Sequence, residues 1–555
     1  MRECGTIIST EHKFVESSAP GVSKRETANG LVIGAAVAIA FIALLRFALV
    51  GVIELLPEEA YYWMYSKHPA LGYFDHPPMV AWIISAGTAL LGDTQMGVRF
   101  GTFLLWVASC ALVFLTARLW FGRRAALAAT ILFALAPIYI GMGLIATPDA
   151  PLMFFWLATL YFISLALHTD RDRYWLAAGA TFGGALLCKY YALLLAPSLA
   201  LFLALSPTNR RWLRRPQFWL ALPIALLMFS PVMVWNAQHD WASFLFQSTR
   251  TVVSQKHTFR DVLWFWAVQV GLLGPVFFPL FACAAGQSIK LGWLRHDDRW
   301  NFVASFSLPL FLLFVAASFK TEIHVNWTAP AFLSLACGAG AMVADGLSAE
   351  DPARARRWHI GSWIAVALAF LFVVLGHTSL AWGFPRTLAY SRASGWHALA
   401  KEVRQARENL GRETGQQPFV LGLDKYNIAA ELGFYLHQPN ECVNDYALGG
   451  SGLGFRYWAD LQRFAGRPAI AVLTDLDMGS LKELRGHFDR VDEPTRISVP
   501  THGLHTRRVY LVRCRGYHTE PNPSRASLPE HSHARSTFIL LFKGNPVYPA
   551  TDWAG

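Results

Sequence analysis

"YWLAAGATFGGALLCKYYALLLAPSLALFLAL", residues 174–205, holds a single charged side chain, Lys189. About 20 apolar residues cross a bilayer, so the stretch is either one long helix or two short ones joined at the lysine. The choice sets the orientation of everything that follows. Five basic loops decide it: "GRRA" at 122–125, "HTDRDR" at 168–173, "SPTNRRWLRRP" at 206–216, "KLGWLRHDDR" at 290–299 and "ARARRWH" at 353–359. If the stretch is split at Lys189, all five fall on the side of the N-terminus, as the positive-inside rule requires of a cytoplasmic face. Left whole, it puts the later basic loops outside. The stretch reads as two spans.

Working outward, apolar runs at about 31–52, 100–121, 125–143, 150–167, 217–235, 262–285, 301–319, 328–346 and 360–380 complete about eleven spans. The run 79–91 is short for a crossing and suits a helix lying at the interface. Composition agrees: of 555 residues 54% are hydrophobic and only 15% charged, against about 25% charged in soluble domains. The net charge of +11 sits in short loops, which argues for membrane orientation and against a nucleic-acid partner.

The expected architecture is an α-helical polytopic membrane protein with a small C-terminal α/β domain. Residues 1–29 form a cytoplasmic segment, 30–380 the transmembrane domain, 381–515 an external α/β domain, and 516–555 a disordered tail. The first 29 residues are polar and show no cleavable signal, so the first apolar run reads as an uncleaved helix. Helical patterns at 394–410, 426–437 and 478–487 alternate with β-rich runs at 418–423, 469–474 and 507–514. Cys442 and Cys514 fall in this region and could pair if it is extracytoplasmic.

The split also gathers the chemistry on one face. "PEEAYYWMYSKHPALGYFDHPP" at 57–78 supplies Glu58, Glu59, Asp75 and His76. Adjacent glutamates cannot point the same way, so one can face a reacting group while the other orients a neighbour. A partly desolvated carboxylate is the better general base. A plainer reading puts both glutamates in the first turn of a helix after Pro57, favoured by its dipole. In "ATPDAP" at 146–151, Thr147 suits a helix cap, Pro148 the first helical position and Asp149 the positive end. Lys189 either faces a cavity or snorkels to the interface. Lys320, Glu322 and His324 form a second polar insertion, and Lys189 with Lys320 could hold a phosphate. His76, His239 and His324 lack close pairing, so no cofactor is certain and a divalent metal is only an option. The rings of Tyr61, Tyr62, Trp63, Tyr65, Tyr73, Phe74 and Trp82 read mainly as an interfacial belt.

An ordered series of motifs gives these residues a family. "EEAYYW" at 58–63, "GYFDHPPMVAW" at 72–82, "ATPDAPLMFFW" at 146–156, "LLCKYYALLLAP" at 186–197, "PVMVWNAQHDWASFLFQ" at 231–247 and "KTEIHVNWTAPAF" at 320–332 resemble the bacterial GT-C glycosyltransferases. The branch is that of protein O-mannosyltransferase-like proteins, lipid A aminoarabinose transferases and rhizobial lipopolysaccharide galacturonate transferases (glycosyltransferase family 39-like). The resemblance covers roughly residues 30–380, and "DKYNIAAELGFYLHQP" at 424–439 resembles part of the C-terminal domain of some members.

The resemblance implies a multi-pass enzyme of the bacterial inner membrane with a periplasmic active site. It would transfer a sugar, with inversion, from a polyprenyl-phosphate donor to a lipid or glycolipid acceptor such as lipopolysaccharide. Relatives usually carry an Asp–Glu pair in the first external loop. Glu58 and Glu59 stand at those positions, so the catalytic carboxylate is displaced by about one C–C bond, a change of the kind that positioning catalysis feels. The implied catalytic residues are Glu58 and then Glu59. Lys189, Lys320, His324, His76 and Asp149 are the implied donor-phosphate and substrate contacts. A protein O-glycosyltransferase is the enzymatic alternative and a lipid-linked-sugar flippase the transporter one. One-sided polar loops and an external domain favour the enzyme over a transporter, which would carry repeated halves. No Walker-type glycine-rich loop calls for a nucleotide.

Overall fold

Glycine and proline decide where the apolar helices stop. In the computed structural model, residue 37 and residues 39–252, 259–320, 323–324, 326–383, 393–476, 478–502 and 506–521 are described. The expectations for the N-terminal segment, for most of the tail from 516 and for Glu322 therefore lie wholly or largely outside the described residues.

Helix α1 (Ile39–Val50) leads to α2 (Pro57–Lys67), α3 (Met79–Leu91) and the 41-residue α4 (Gln95–Leu135). At Gly122 the α4 backbone turns to φ 82°, which only glycine adopts without strain, and this breaks α4 at the basic "GRRA" turn. Next come α5 (Pro137–Leu144), α6 (Asp149–Thr169), α7 (Arg173–Leu186) and, after a 3-10 turn at Tyr190–Leu194, α8 (Leu195–Leu205). Lys189 lies in extended backbone between α7 and that turn, so the 174–205 stretch is broken where the charge pattern requires.

The chain continues as α9 (Pro216–Gln238), α10 (Ala242–Val252), α11 (Phe259–Leu273), α12 (Phe277–Gln287), α13 (Asp298–Ser305), α14 (Leu308–Ala317), α15 (Ala331–Leu347) and α16 (Pro352–Trp382). Two expectations change here. The run 262–285 is not one straight span: α11 and α12 meet at 104°, because Gly274 takes φ 80° and Pro275 cannot continue a helix. The basic "ARARRWH" segment is not a loop but the first turns of α16, capped by the Asp351 carboxylate on the Ala353 N–H.

Among the described residues, Gln95–Leu135, Asp149–Thr169, Pro216–Gln238, Asp298–Ala317 and Pro352–Trp382 are long and apolar enough to cross a membrane. Only 22% of the apolar windows of α9 and α16 is buried within the protein, which marks them as lipid-facing helices on the outside of the bundle. Inside, Trp120, Phe133, Trp156, Phe202, Phe302 and their neighbours form one continuous apolar core.

The C-terminal part is α/β. Helices α17 (Trp396–Thr414), α18 (Asn427–Tyr435) and α19 (Met478–His487) accompany strands β1 (Phe419–Gly422), β2 (Cys442–Val443), β3 (Ala469–Leu473), β4 (Phe488–Val491), β5 (Thr495–Val499) and β6 (Arg507–Tyr517). The sheet order is β2-β1-β3-β6-β4, with β5 also on β6. Strands β1, β2 and β3 are parallel and β6 antiparallel to β3. Every residue of β1 and β3 is buried, as befits parallel strands covered on both faces.

Cys442 and Cys514 are both free and buried. They sit in β2 and β6, three strand steps apart. At about 4.8 Å per step that is about 14 Å, twice the Cα separation a disulfide tolerates. The pairing that the sequence left open does not form.

The sheet region shares a core with the first loop of the helical part. Tyr61, Trp63, Met64 and Tyr65 of α2 belong to the same apolar cluster as Tyr426, Ile428, Phe434 and Phe455. Tyr61 stacks on Tyr426 at 4.4 Å, and Trp63 meets Phe434 edge-on at 5.2 Å. The rings expected to form an interfacial belt are therefore mostly an internal seam. At the same seam the Glu54 carboxylate accepts the Trp396 N–H at 2.8 Å, capping the start of α17, and Tyr435 Oη accepts the Leu55 N–H at 2.9 Å.

Candidate functional site

Pro57 opens α2, so Glu58 and Glu59 fall in its first turn, where exposed N–H groups favour carboxylates. The helix then sends the two glutamates different ways. Glu59 is 0% exposed and Arg99 of α4 only 1%. They form a fork-to-fork pair, Nε to Oε1 at 2.7 Å and Nη2 to Oε2 at 2.5 Å. Glu59 also accepts the Leu56 N–H at 3.0 Å and the Ala146 N–H at 2.8 Å. Arg99 in turn donates to the carbonyls of Val50, the last residue of α1, and of Ile53 and Glu54 just beyond it. Both oxygens of Glu59 are committed, and its geometry is that of a brace joining α1, α2, α4 and the 146 turn. Glu58, one residue earlier, is only half-buried.

A second buried pair lies at the start of α6. Asp149, 2% exposed, receives Lys189 Nζ on both oxygens at 2.8 and 2.9 Å. Asn326 Nδ2 donates to the same carboxylate at 2.5 Å, and Tyr191 Oη lies 3.5 Å away. Lys189 therefore does not snorkel; it turns inward to a counter-ion, as buried charge must. Thr147 does not cap α6, whose N-cap is Pro148 with no side-chain bond; the hydroxyl lies 3.5 Å from Asp149 instead.

Tyr62 lies where these groups converge. It is buried, and its hydroxyl pKa is raised well above the ordinary value, first by burial and then by the negative fields of Asp75, Tyr426, Asp149 and Glu58. Carboxylates from two separate loops thus act on one hydroxyl. Asp75 accepts from the hydroxyls of Tyr65 and, at 3.4 Å, Tyr61, while its backbone carbonyl accepts Gln247 Nε2 at 2.6 Å. His76 stands edge-on to Tyr62 at 5.6 Å. His324 is half-buried and meets Trp327 at 5.1 Å, whereas Lys320 is exposed just past α14.

Glu58, Asp75 and Asp149 thus lie within electrostatic reach of Tyr62, His76 packs edge-on to its ring, and Lys189 joins them through Asp149, while Glu59 is paired with Arg99. Arg99, Asn326, Gln247 and Tyr426 have no counterpart among the residues singled out from sequence. Arg99 had a readable signal, an arginine against the start of an apolar run. Tyr426 lies inside the 424–439 motif, but nothing there points to its stacking partner, 365 positions away in the chain. Among the described residues, no group of three or more His, Cys, Asp or Glu side chains is placed to hold a metal ion.

The comparisons with known proteins say what this chain, an apolar helical bundle joined to a small α/β sheet through its first loop over buried ion pairs, is similar to. Residues 75–235 match the family described as dolichyl-phosphate-mannose-protein mannosyltransferase. Over 296 residues the chain is 28% identical to the lipid A galacturonosyltransferase RgtD of Rhizobium johnstonii, covering 51% of this chain and 59% of that one. Over 289 residues it is 25% identical to the undecaprenyl phosphate-alpha-4-amino-4-deoxy-L-arabinose arabinosyl transferase of Edwardsiella ictaluri, covering 49% and 50%. These matches span little more than half the length of the curated relatives. The fold is that of ArnT from Cupriavidus metallidurans, solved bound to undecaprenyl phosphate: TM-score 0.60 and 17% identity over 86% of this chain and 98% of that one. Over about half its length the chain is thus similar in sequence to these sugar transferases, and its fold is similar to that of ArnT.

Proposed function

We propose that the protein transfers a sugar from a polyprenyl-phosphate donor to a cell-envelope glycolipid of the lipid A or lipopolysaccharide type. The observation that carries this is the buried Asp149–Lys189 pair, reached by Asn326, with Glu58 half-buried in the neighbouring first loop. Support comes from relatives named for galacturonosyl and aminoarabinosyl transfer and from a like-folded protein that binds undecaprenyl phosphate. In this reading about eleven spans cross a bacterial inner membrane, with the site and the region from 381 on the periplasmic face.

The acceptor oxygen attacks the anomeric carbon from the side opposite the phosphate. The carbon–oxygen bond to phosphate breaks, polyprenyl phosphate leaves with the bonding pair, and the configuration inverts. A hydroxyl acceptor gives up its proton to Glu58, the half-buried member of the pair. Glu59, saturated by Arg99 and two backbone N–H groups, positions the turn that carries Glu58. The leaving phosphate needs cations that are already in place. Lys189, aimed by Asp149, supplies one, and Lys320, His324 and His76 line the approach. A protein acceptor is the second reading, favoured by the protein mannosyltransferase match over residues 75–235.

The test is mass spectrometry of envelope glycolipids and glycoproteins from a deletion strain. Loss of one sugar mass from a glycolipid, restored by the native chain and not by Glu58→Gln, is the expected result. Loss from proteins alone selects the second reading, and an unchanged envelope refutes both. Full restoration by Glu58→Gln removes Glu58 from the mechanism.

A further inference from the structure

The C-terminal region contains a cleft that the transfer reaction does not use. Its volume is about 670 Å³, and its walls carry Arg404, Arg407, Arg412, Gln416, Gln417 and Gln438. Glu408 is the only acid in the lining. Helix α17 starts on the Glu54 carboxylate, and Arg407 lies eleven residues further along it, about 16 Å at 1.5 Å per residue. The cleft therefore stands apart from the Glu58–Asp149 site.

Three arginines at the end of a helix have an ordinary explanation: cations there complement the dipole. That covers Arg412, in the last turn of α17. It does not cover Arg407, which is 7% exposed. Arg407 spends Nε on the Pro418 carbonyl at 2.8 Å and Nη1 on Gln438 Oε1 at 2.5 Å. Its Nη2, though buried, has no hydrogen-bond partner among the described residues. Burial pulls its pKa below the ordinary guanidinium value, with Cys442 and Glu441 opposing the shift and Arg467 and Arg404 adding to it. A buried guanidinium with an unused donor is costly unless an anion arrives.

We infer that this cleft binds a phosphorylated saccharide, its phosphate held by Arg404, Arg407 and Arg412 and its hydroxyls by the glutamine amides. Guanidinium forks match phosphate oxygens two at a time. The volume lies in the roughly 300–1,000 Å³ range of small-molecule sites, well beyond what a bare phosphate fills. With Leu436 and Pro418 the main apolar contributions, the lining suits a polar occupant.

The test uses the full chain purified in detergent and titrated with glucose 1-phosphate, inorganic phosphate and glucose, with Tm as the readout. Arg404 and Arg412 are exposed, so Arg404→Gln/Arg412→Gln should keep the unliganded Tm. Glucose 1-phosphate should raise Tm at lower concentration than inorganic phosphate does, glucose should have no effect, and the double variant should need at least tenfold more glucose 1-phosphate. An unchanged titration in the double variant, an equal response to glucose, or inorganic phosphate matching the sugar phosphate would each overturn the inference. Binding is read without transfer, so an inactive envelope assay leaves this result standing.

Discussion

Removing the Glu59 carboxylate should unfold the protein locally rather than stop its chemistry. In Glu59→Ala, Arg99 keeps its charge in a site where it is 1% exposed, and breaking one partner of such a buried pair costs about 3–5 kcal/mol. The Leu56 and Ala146 N–H groups also lose their acceptor, at about 1–3 kcal/mol for each one left buried and unsatisfied. The sum is comparable with the whole stability of an ordinary domain, about 5–15 kcal/mol. Glu59→Ala should therefore be recovered in poor yield and aggregate on size-exclusion chromatography, with Tm lowered by more than 10 °C if any folds. Glu59→Leu/Arg99→Met, which removes both charges, should recover most of the loss, because apolar replacement of a buried pair is often close to neutral. Glu58→Gln should keep the native Tm while losing transfer. A Glu59→Ala chain with native Tm and no transfer would refute the assignment of bracing to Glu59 and chemistry to Glu58.

The Asp149–Lys189 pair obeys the same logic: Lys189→Met strands Asp149 and should cost about 3–5 kcal/mol in thermal unfolding, with Asn326 as the carboxylate's remaining close donor. Adding Asp149→Asn should return most of that stability, and a Lys189→Met chain of unchanged Tm would show the pair is solvated. Glu431 is 0% exposed, and neither carboxylate oxygen has a hydrogen-bond partner among the described residues. Burial, outweighing Arg507 and reinforced by Glu54, Glu59 and Glu58, raises its pKa well above the carboxylate range. The folded chain thus holds a proton that the unfolded chain releases above roughly pH 4.3, so this contribution to stability falls as pH rises toward the folded pKa. Glu431→Gln should therefore melt higher than the native chain by a margin that grows from pH 5 to pH 8; a constant margin would sink the argument. With Cys442 and Cys514 in strands three steps apart, dithiothreitol should leave Tm unchanged and alkylation of the denatured chain should label both thiols without prior reduction.

The break at Lys189 was legible because charge placement across a membrane follows a one-dimensional rule. Helix α3 was legible because residues 79–91 are bounded by a Pro pair and a Gly. The α11–α12 bend was written in Gly274–Pro275 but hidden inside a run whose hydropathy was sufficient for one span. Strands β4 and β5 escaped because they are partly exposed, paired on one edge of β6, and so lack the apolar run that marks β1 and β3. At the site, the loop and its carboxylates could be read, whereas their division of labour could not. Nothing in "EEAYYW" says that the second glutamate is buried against Arg99, since that contact joins positions 40 apart. Lys189 was visible as an intrusive charge, but its partner Asp149 looked like an ordinary helix-start residue until the fold put the two together.

The ring seam between α2 and the sheet has a bearing on how such chains diverge. Tyr61 stacks on Tyr426 and accepts the Gly454 N–H, Trp63 meets Phe434, and His68 stacks on Trp458. The loop that carries Glu58 is therefore moulded on one side by a region some 360 residues downstream. A chimera that keeps this chain's helices but takes its C-terminal part from a relative would inherit a mismatched mould, and the active loop would lose its shape with every loop residue intact. Exchange of these parts between similar chains should accordingly travel as a matched pair, first loop and sheet together, and an isolated graft of either half should yield a stable bundle with a misshapen first loop.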